Sequence, residues 1–447
     1  MAIVLARNKV SAARWSAFEI LKRVNDGGFS STLLAEYEPK LEPSDRALCH
    51  ELVLGVLRWQ LNLDESIQHF SNRKIEGLDL SVLISLRLGL YQLRFLTRIP
   101  PSAAVDESVK IVQNARLSSA RAFVNAVLRR VTREPEYDPA ANISDPLVRL
   151  AIRTSHPEWL LKRWIDQIGF ADTERLAGVN NETPRLSFRV VSSRGEQAAL
   201  LDRLKAAEIS IEASKLTRDA FIANGGSRFL RELAEGGEIY LQDEASQLVG
   251  ELVEPGDEDR VLDLCAAPGG KTTLIADRTR TSSVIAVDVS AKRLQTIANA
   301  IDRQNLKNIS LAQLDATQDL PFERQSFDRV LVDAPCSGTG TLRHNPEIRW
   351  RVSVDDINRL ASQQKQILKN AAKFVKAGGR LVYSTCSVEP EENEEVIKEF
   401  LGAHNNFEQI QLKSLTAEIS ASGSLRTWPH KQGTDGFFVT LLRRRTE

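Results

Sequence analysis

Arg260-Val-Leu-Asp-Leu264 runs straight into Cys265-Ala-Ala-Pro-Gly-Gly-Lys-Thr272, a short apolar run broken by a proline and paired glycines. An apolar stretch of about four to eight residues bounded by such turn signals reads as a buried strand. Four more runs of this kind come after it: Ser283-Val-Ile-Ala-Val287, Ile309 to Leu314, Phe327-Asp-Arg-Val-Leu-Val332 and Arg380-Leu-Val-Tyr383. Helix-length segments separate them, and Phe437-Phe-Val-Thr-Leu-Leu442 makes another strand near the end. Strand and helix in alternation predict a mostly parallel sheet with helices on both faces, over residues 239–447.

In an open sheet of this kind the ligand lies beyond the carboxyl ends of the strands, so the residues just after each strand carry the information. The first strand is followed by the Cys265 turn, the second by Asp288 and the third by Asp315. Asp333-Ala-Pro-Cys336-Ser-Gly-Thr-Gly340 follows the fourth, and Ser384-Thr-Cys386-Ser387 the fifth. One Asp after a strand is weak evidence, because helix N-caps favour Asp. A glycine turn, three carboxylates and two thiols on one sheet edge are a stronger signal.

The turn lacks the G-x-G-x-x-G of dinucleotide sites. Gly270-Lys-Thr272 matches the tail of a phosphate-binding loop, and Val330-Leu-Val-Asp333 its magnesium-holding strand. Cys265, however, stands where that loop requires glycine. A nucleoside without a triphosphate fits better, with Asp288 at the ribose and Asp315 near the base, the layout expected for S-adenosylmethionine. A nucleotide hydrolase and a non-catalytic RNA-binding assembly factor stay as alternatives.

Working outward, residues 1 to about 140 read as helices. Leu83, Leu86, Leu90 and Leu93 share a helix face, and Pro100-Pro101 is read as its stop. Val105, Val109 and Val112 begin the next stripe, with Asp106 and Glu107 expected at its N-terminal dipole. From Arg73 to Arg133 there are eleven Lys/Arg against four Asp/Glu. Arginines on solvated helix faces explain that run as well as an RNA phosphate footprint does; salt-dependent binding separates the two. Residues 145–238 mix helices with short strands at Pro184 to Val190, Ala220 to Ala223 and Glu238 to Leu241, a small α+β domain.

Composition bounds these readings. The 447 residues are 42% hydrophobic, and 59 basic residues balance 59 acidic ones, so disordered and fibrous classes are excluded. Zero net charge means that nucleic-acid binding must come from local patches. Four cysteines, none in a CxxC pair, suggest neither a structural zinc site nor a disulfide framework, and no metal is expected. No apolar run reaches membrane-spanning length, so a cytoplasmic protein with no membrane partner is expected.

Two loop thiols beside a methyl donor suggest one chemistry. C5 of cytosine is too poor a nucleophile to attack a sulfonium methyl. A thiolate added at C6 makes C5 enamine-like, and methyl transfer and elimination follow. Asp333 is placed to stabilise charge at N3, and Lys271 would help a thiol ionise.

At these residues the chain resembles the Sun (Fmu) family of RNA cytosine-C5 methyltransferases. Val261 to Thr272, Asp333 to Gly340 and Tyr383-Ser-Thr-Cys-Ser387 carry the match, with Gln242-Asp243-Glu-Ala-Ser-Gln247 and Gly433-Thr-Asp-Gly-Phe437. The helical region resembles a NusB-like RNA-binding domain through Leu86 to Leu93, Ile99-Pro-Pro101 and Phe123 to Arg129. The resemblance implies a NusB-like all-α domain, an α+β, RRM-like connector and a Rossmann-like class I methyltransferase domain with a seven-stranded sheet. It implies Cys386 as nucleophile and Cys336 as the residue that helps release product. It also implies that Cys265, Ala266, Ala267, Pro268, Gly269, Gly270, Lys271, Asp288, Asp315 and Asp333 bind S-adenosylmethionine, with Asp333 and Lys271 also near the base. A cytosine of 16S ribosomal RNA, free or in an early small-subunit precursor, is the implied substrate, and a monomer the expected state.

Overall fold

The structure, a computed structural model, describes residues 10–279, 281–412, 420–421 and 423–446. The chain forms two compact units: residues up to Glu182 together with Leu342–Arg351, and Thr183–Thr341 together with Val352 onward.

The first unit is helical, with helices at Ala12–Asn25, Pro43–Arg58, Gln60–Ser71, Leu80–Phe95, Pro101–Asn114 and Arg121–Arg133. Leu83, Leu86 and Leu90 are buried as their spacing requires, against Val112, Val124 and Leu128. Asp79 caps their helix, accepting from the N–H groups of Ser81 and Val82. Pro101 begins the next helix rather than only stopping the last, because proline suits the first helical position. Asp106 and Glu107 consequently miss the first turn, which holds no acidic residue. Asp106 pairs with Lys110 at 2.7 Å, and Glu107 accepts the Ser11 N–H at 2.7 Å.

Helices Pro146–Thr154, Glu158–Ile168 and Phe170–Val179 pack with this unit, although in sequence they adjoin the α+β segment. So does Leu342–Arg351, where Arg349 is fully buried and donates to the carbonyls of Arg58, Ser155 and Asn180. No described helix in the chain is long and apolar enough to cross a membrane.

The second unit opens with a small antiparallel sheet. Its strands are β1 (Leu186–Val190), β2 (Ser210–Ala213), β3 (Ala220–Asn224) and β4 (Ile239–Leu241), in the order β2-β3-β1-β4. Helices Gln197–Ala206 and Ser227–Glu235 complete the α+β layer. Arg189 of β1 is buried and donates to Thr273 at 2.9 Å and Gln304 at 3.2 Å, tying this layer to the helices behind the glycine turn.

The large sheet contains β5 (Arg260–Asp263), β6 (Ser283–Asp288), β7 (Ile309–Gln313), β8 (Phe327–Asp333), β9 (Val375–Thr385), β10 (Phe407–Ile410), β11 (Ser420–Ala421), β12 (Ser424–Arg426) and β13 (Phe438–Arg444). Their order is β11-β12-β13-β9-β8-β5-β6-β7, and β10 pairs with β13. Strands β5 to β9 are parallel, whereas β13 runs antiparallel to β9. Among the described residues the sheet has nine strands against the seven expected. Beyond the six strands quoted from the sequence, it includes β10, β11 and β12, which are two to four residues long and too short to show a period-two pattern.

Alternation sends Leu262, Val330, Leu381 and Phe438 into one core, and Val261, Leu331, Val382 and Val439 into the other. Both faces are therefore covered, as a parallel sheet demands. The chain builds outward from β5 through β6 to β7, then returns to place β8 on the other side of β5. That reversal leaves a crevice at the carboxyl ends of β5 and β8, the usual ligand position in such sheets.

Candidate active site

The Cys265 turn closes the β5 side of the crevice. Gly269 takes a φ of +101°, which favours glycine, and its N–H donates to the Ala266 carbonyl at 2.8 Å. Helix Gly270–Arg278 starts immediately after it. Asp263 accepts from the Thr272 hydroxyl at 2.7 Å, and burial pushes its carboxyl up to about 7. A cavity of about 140 Å³ opens here, lined in part by Tyr240, Gln242, Asp263, Pro268, Lys271 and Asp333. Cys265, Ala266, Ala267 and Gly270 also line it.

Asp288, at the end of β6, is buried and turned toward this loop. It accepts the Ala267 N–H at 3.3 Å and the Ser290 N–H at 3.0 Å, with Arg293 at 3.5 Å. Asp315 is exposed two residues past β7, where it accepts from the N–H and hydroxyl of Thr317 at 2.9 and 2.7 Å. Neither aspartate lines the cavity itself.

On the β8 side, Lys271 donates to one oxygen of Asp333 at 2.7 Å and Ser384 to the other at 2.7 Å. The parallel register sets Asp333 opposite Ser384 and so brings the two thiol loops together. The sulfur atoms of Cys336 and Cys386 lie 3.3 Å apart, both half-buried. The contact with Cys386, followed by burial and the carboxylates of Glu392 and Asp333, holds the Cys336 thiol well above its ordinary range. The Cys336 thiol therefore keeps its proton at neutral pH. Burial also raises Cys265, and Cys49 in the helical core is pushed up to about 12. Those two thiols therefore keep their protons at neutral pH.

Gly340 lets the loops approach. Its N–H donates to the Cys386 carbonyl at 3.0 Å, and its own carbonyl accepts from Gly436 at 2.8 Å. A Cβ at Gly340 would stand 2.0 Å from the Gly436 oxygen, an overlap with backbone that nothing nearby can relieve. Asp243 joins two of the matching strings, accepting from the Thr434 hydroxyl at 2.6 Å and the Asp435 N–H at 3.1 Å.

The structure thus places Lys271 and Asp333 in the cavity wall and joins the Cys336 and Cys386 sulfurs just past the ends of β8 and β9, outside that wall, with Asp288 beside the cavity and Asp315 on the exposed edge. Sequence reasoning missed Tyr240 in the cavity wall, and it missed Glu392, Ser337, Ser387 and Gln364 beneath the thiols. The clue available for the serines was their position directly after each cysteine.

Residues 251–443 match the model described as 16S rRNA methyltransferase RsmB/F, residues 11–133 the NusB family, and residues 156–227 the RsmF/B-like ferredoxin-like domain. The "Probable ribosomal RNA small subunit methyltransferase B" of Bacillus subtilis is 38% identical, over 98% of this chain and 100% of that protein. The ribosomal RNA small subunit methyltransferase B of Pseudomonas putida is 35% identical, over 96% and 98%. Among solved structures, that of PH0851 superposes with a TM-score of 0.85 at 26% identity, covering 98% of this chain and 99% of the other.

Proposed function

The chain belongs to the RsmB/F family of 16S rRNA methyltransferases, and we propose that it forms 5-methylcytosine in 16S ribosomal RNA from S-adenosylmethionine, through a covalent bond between Cys386 and C6 of the base. The observation that carries this reading is the 3.3 Å approach of two loop thiols beside the Lys271–Asp333 ion pair.

The residues present suit the cofactor. Asp263 and Asp333 in the cavity wall match a ligand bearing an ammonium and a sulfonium, and Lys271 offers a partner for its carboxylate. At about 140 Å³ the cavity takes only part of a ligand whose site would normally be about 300 Å³ or more. Asp288, at the next strand end, is the carboxylate suited to ribose hydroxyls. When bound, the cofactor supplies an electrophilic methyl group.

Cys386 adds to C6 as thiolate, which moves electron density onto C5. A proton passed across the 2.7 Å Lys271–Asp333 contact lets Asp333 act as a carboxyl group that donates to N3 and stabilises the charge that develops there. After methyl transfer the C5 proton passes to water, its bonding pair re-forms the C5–C6 double bond and the Cys386 sulfur leaves as thiolate. Cys336, which retains its proton and touches the Cys386 sulfur, assists that departure. The target base must leave any stack to reach the crevice, at a cost of about a few kcal/mol.

Incubating the protein with unmodified 16S RNA and methyl-labelled cofactor tests the reading. Labelled 5-methylcytosine in the nuclease digest is expected; label on another base or position contradicts it.

A further inference from the structure

Both cysteine loops rest on one buried carboxylate. Glu392 is fully buried on the short turn Pro390–Glu392, just beyond the Cys386 loop. One of its oxygens accepts the Ser337 N–H at 2.8 Å and the Gln364 side-chain amide at 3.0 Å. The other accepts the Ser337 hydroxyl at 2.5 Å. Ser337 Oγ lies 3.0 Å from Ser387 Oγ, and Gln364 also donates to the Pro335 carbonyl at 2.9 Å.

The chain is therefore gripped on both sides of Cys336: at Pro335 through Gln364, and at Ser337 through Glu392. Cys386 is bracketed likewise. Ser387 is tied to Ser337, and Thr385 donates to Asn393, the residue after Glu392, at 2.5 Å. Tyr383 closes the set, donating to the Glu392 carbonyl at 2.6 Å with its hydroxyl 3.1 Å from the Gln364 oxygen.

A network this complete fixes geometry, because each member has a partner that no other conformation supplies. Packing alone would need neither the carboxylate nor the paired serines. We propose that Glu392 is a positioning residue which, through Ser337, Ser387 and Gln364, holds the Cys336 and Cys386 sulfurs at the spacing that lets them act on one base. The proposal rests on the reading that both thiols serve the reaction. A misplacement of about 1 Å at a reacting group costs about a hundredfold in rate, so the network acts on turnover without touching substrate.

The test uses the full-length protein and its Glu392→Gln and Ser387→Ala variants. Glu392→Gln keeps the volume and replaces an acceptor by a donor facing Ser337. Ser387→Ala cuts the hydroxyl link and leaves the carboxylate paired with Ser337 and Gln364, a milder change should the first variant unfold. Phenylarsine oxide condenses with two adjacent thiols, releasing water, and so reads their spacing without RNA or cofactor. Iodoacetamide reads each thiol singly.

Slower arsenical bridging is expected at unchanged single-thiol alkylation. It should accompany a kcat lowered about a hundredfold for Glu392→Gln and less for Ser387→Ala, with KM for the methyl donor unchanged. A folded variant that bridges and turns over like wild type overturns the proposal, as does a parallel loss of bridging and single-thiol alkylation. Failure of wild type to methylate RNA would instead count against the proposed function, and the arsenical comparison would still report on Glu392.

Discussion

Cys336 and Cys386 are 50 positions apart in sequence, yet their sulfur atoms stand 3.3 Å from each other at the ends of adjacent parallel strands. In the proposed reaction the two sulfurs have different tasks, Cys386 adding to the base and Cys336 assisting its release. Cys386→Ala is expected to abolish both methyl transfer and covalent RNA adducts. Cys336→Ala should accumulate adducts on ordinary RNA while turnover falls about a hundredfold or more, as when a general acid or base is lost. Denaturing gels of protein incubated with RNA and cofactor read both outcomes, and the reverse pattern would exchange the two roles.

The buried Asp263 makes a pH prediction whose sign is set by linkage. Its carboxyl is at about 7 in the folded chain, against an ordinary value of 3.8. Between those values the folded state binds the extra proton, so this group's contribution is complete below about 4 and is lost as pH rises through about 7. Asp263→Asn cannot titrate. Melting curves should show the variant gaining on wild type from pH 4 to pH 7, with a constant difference above. A difference independent of pH would mean that Asp263 is ionised throughout.

Cofactor choice separates a methyl-donor site from a phosphate-binding loop. S-adenosylmethionine at about 100 times its Kd should stabilise the fold by about 2.7 kcal/mol, whereas ATP should leave the melting temperature unchanged. Asp288→Ala should weaken donor binding by about 1.5–3 kcal/mol, the usual worth of hydrogen bonds to a charged group. Calorimetric titration checks the second figure.

The basic run on the helical unit is now divisible. Arg87 is engaged by Asp64 at 2.7 Å and Lys110 by Asp106 at 2.7 Å, while Arg94 donates to the Tyr137 carbonyl. Arg73, Lys74, Arg98, Arg116, Arg121, Arg129 and Arg133 are exposed. If they form the RNA footprint, replacing Arg116, Arg121 and Arg129 by Gln should flatten the slope of log K against log salt. The expected change is about 0.7 to 0.9 for each phosphate that is no longer neutralised. Filter binding across a salt series measures it, and an unchanged slope returns these side chains to solvent.

The sheet and the convergence of Lys271, Asp333, Cys336 and Cys386 were legible in the sequence because short buried strands are bounded by turn residues. In such a sheet the carboxyl ends of the parallel strands share one edge. The features that stayed hidden depend on partners distant in sequence. Glu392 reads as one acid among several in Glu389-Pro-Glu-Glu-Asn393, and only the fold shows it buried under Ser337. Arg349 reads as a surface cation, yet it is fully buried by the carbonyls that receive it. The pair Pro100-Pro101 signals an end and a beginning equally well, which is why the sequence starts the next helix too late. Asp315 was found at its strand end, where its carboxylate caps a local turn.

The most direct measurement offers the protein RNA carrying 5-fluorocytosine at the target, together with the methyl donor. Fluorine cannot leave C5 as a proton does, so the intermediate stalls. The expected result is a stable protein–RNA adduct whose peptide map places the modified base on Cys386. Methylation of ordinary RNA with no trapped adduct, or an adduct mapped to any other residue, would contradict the account.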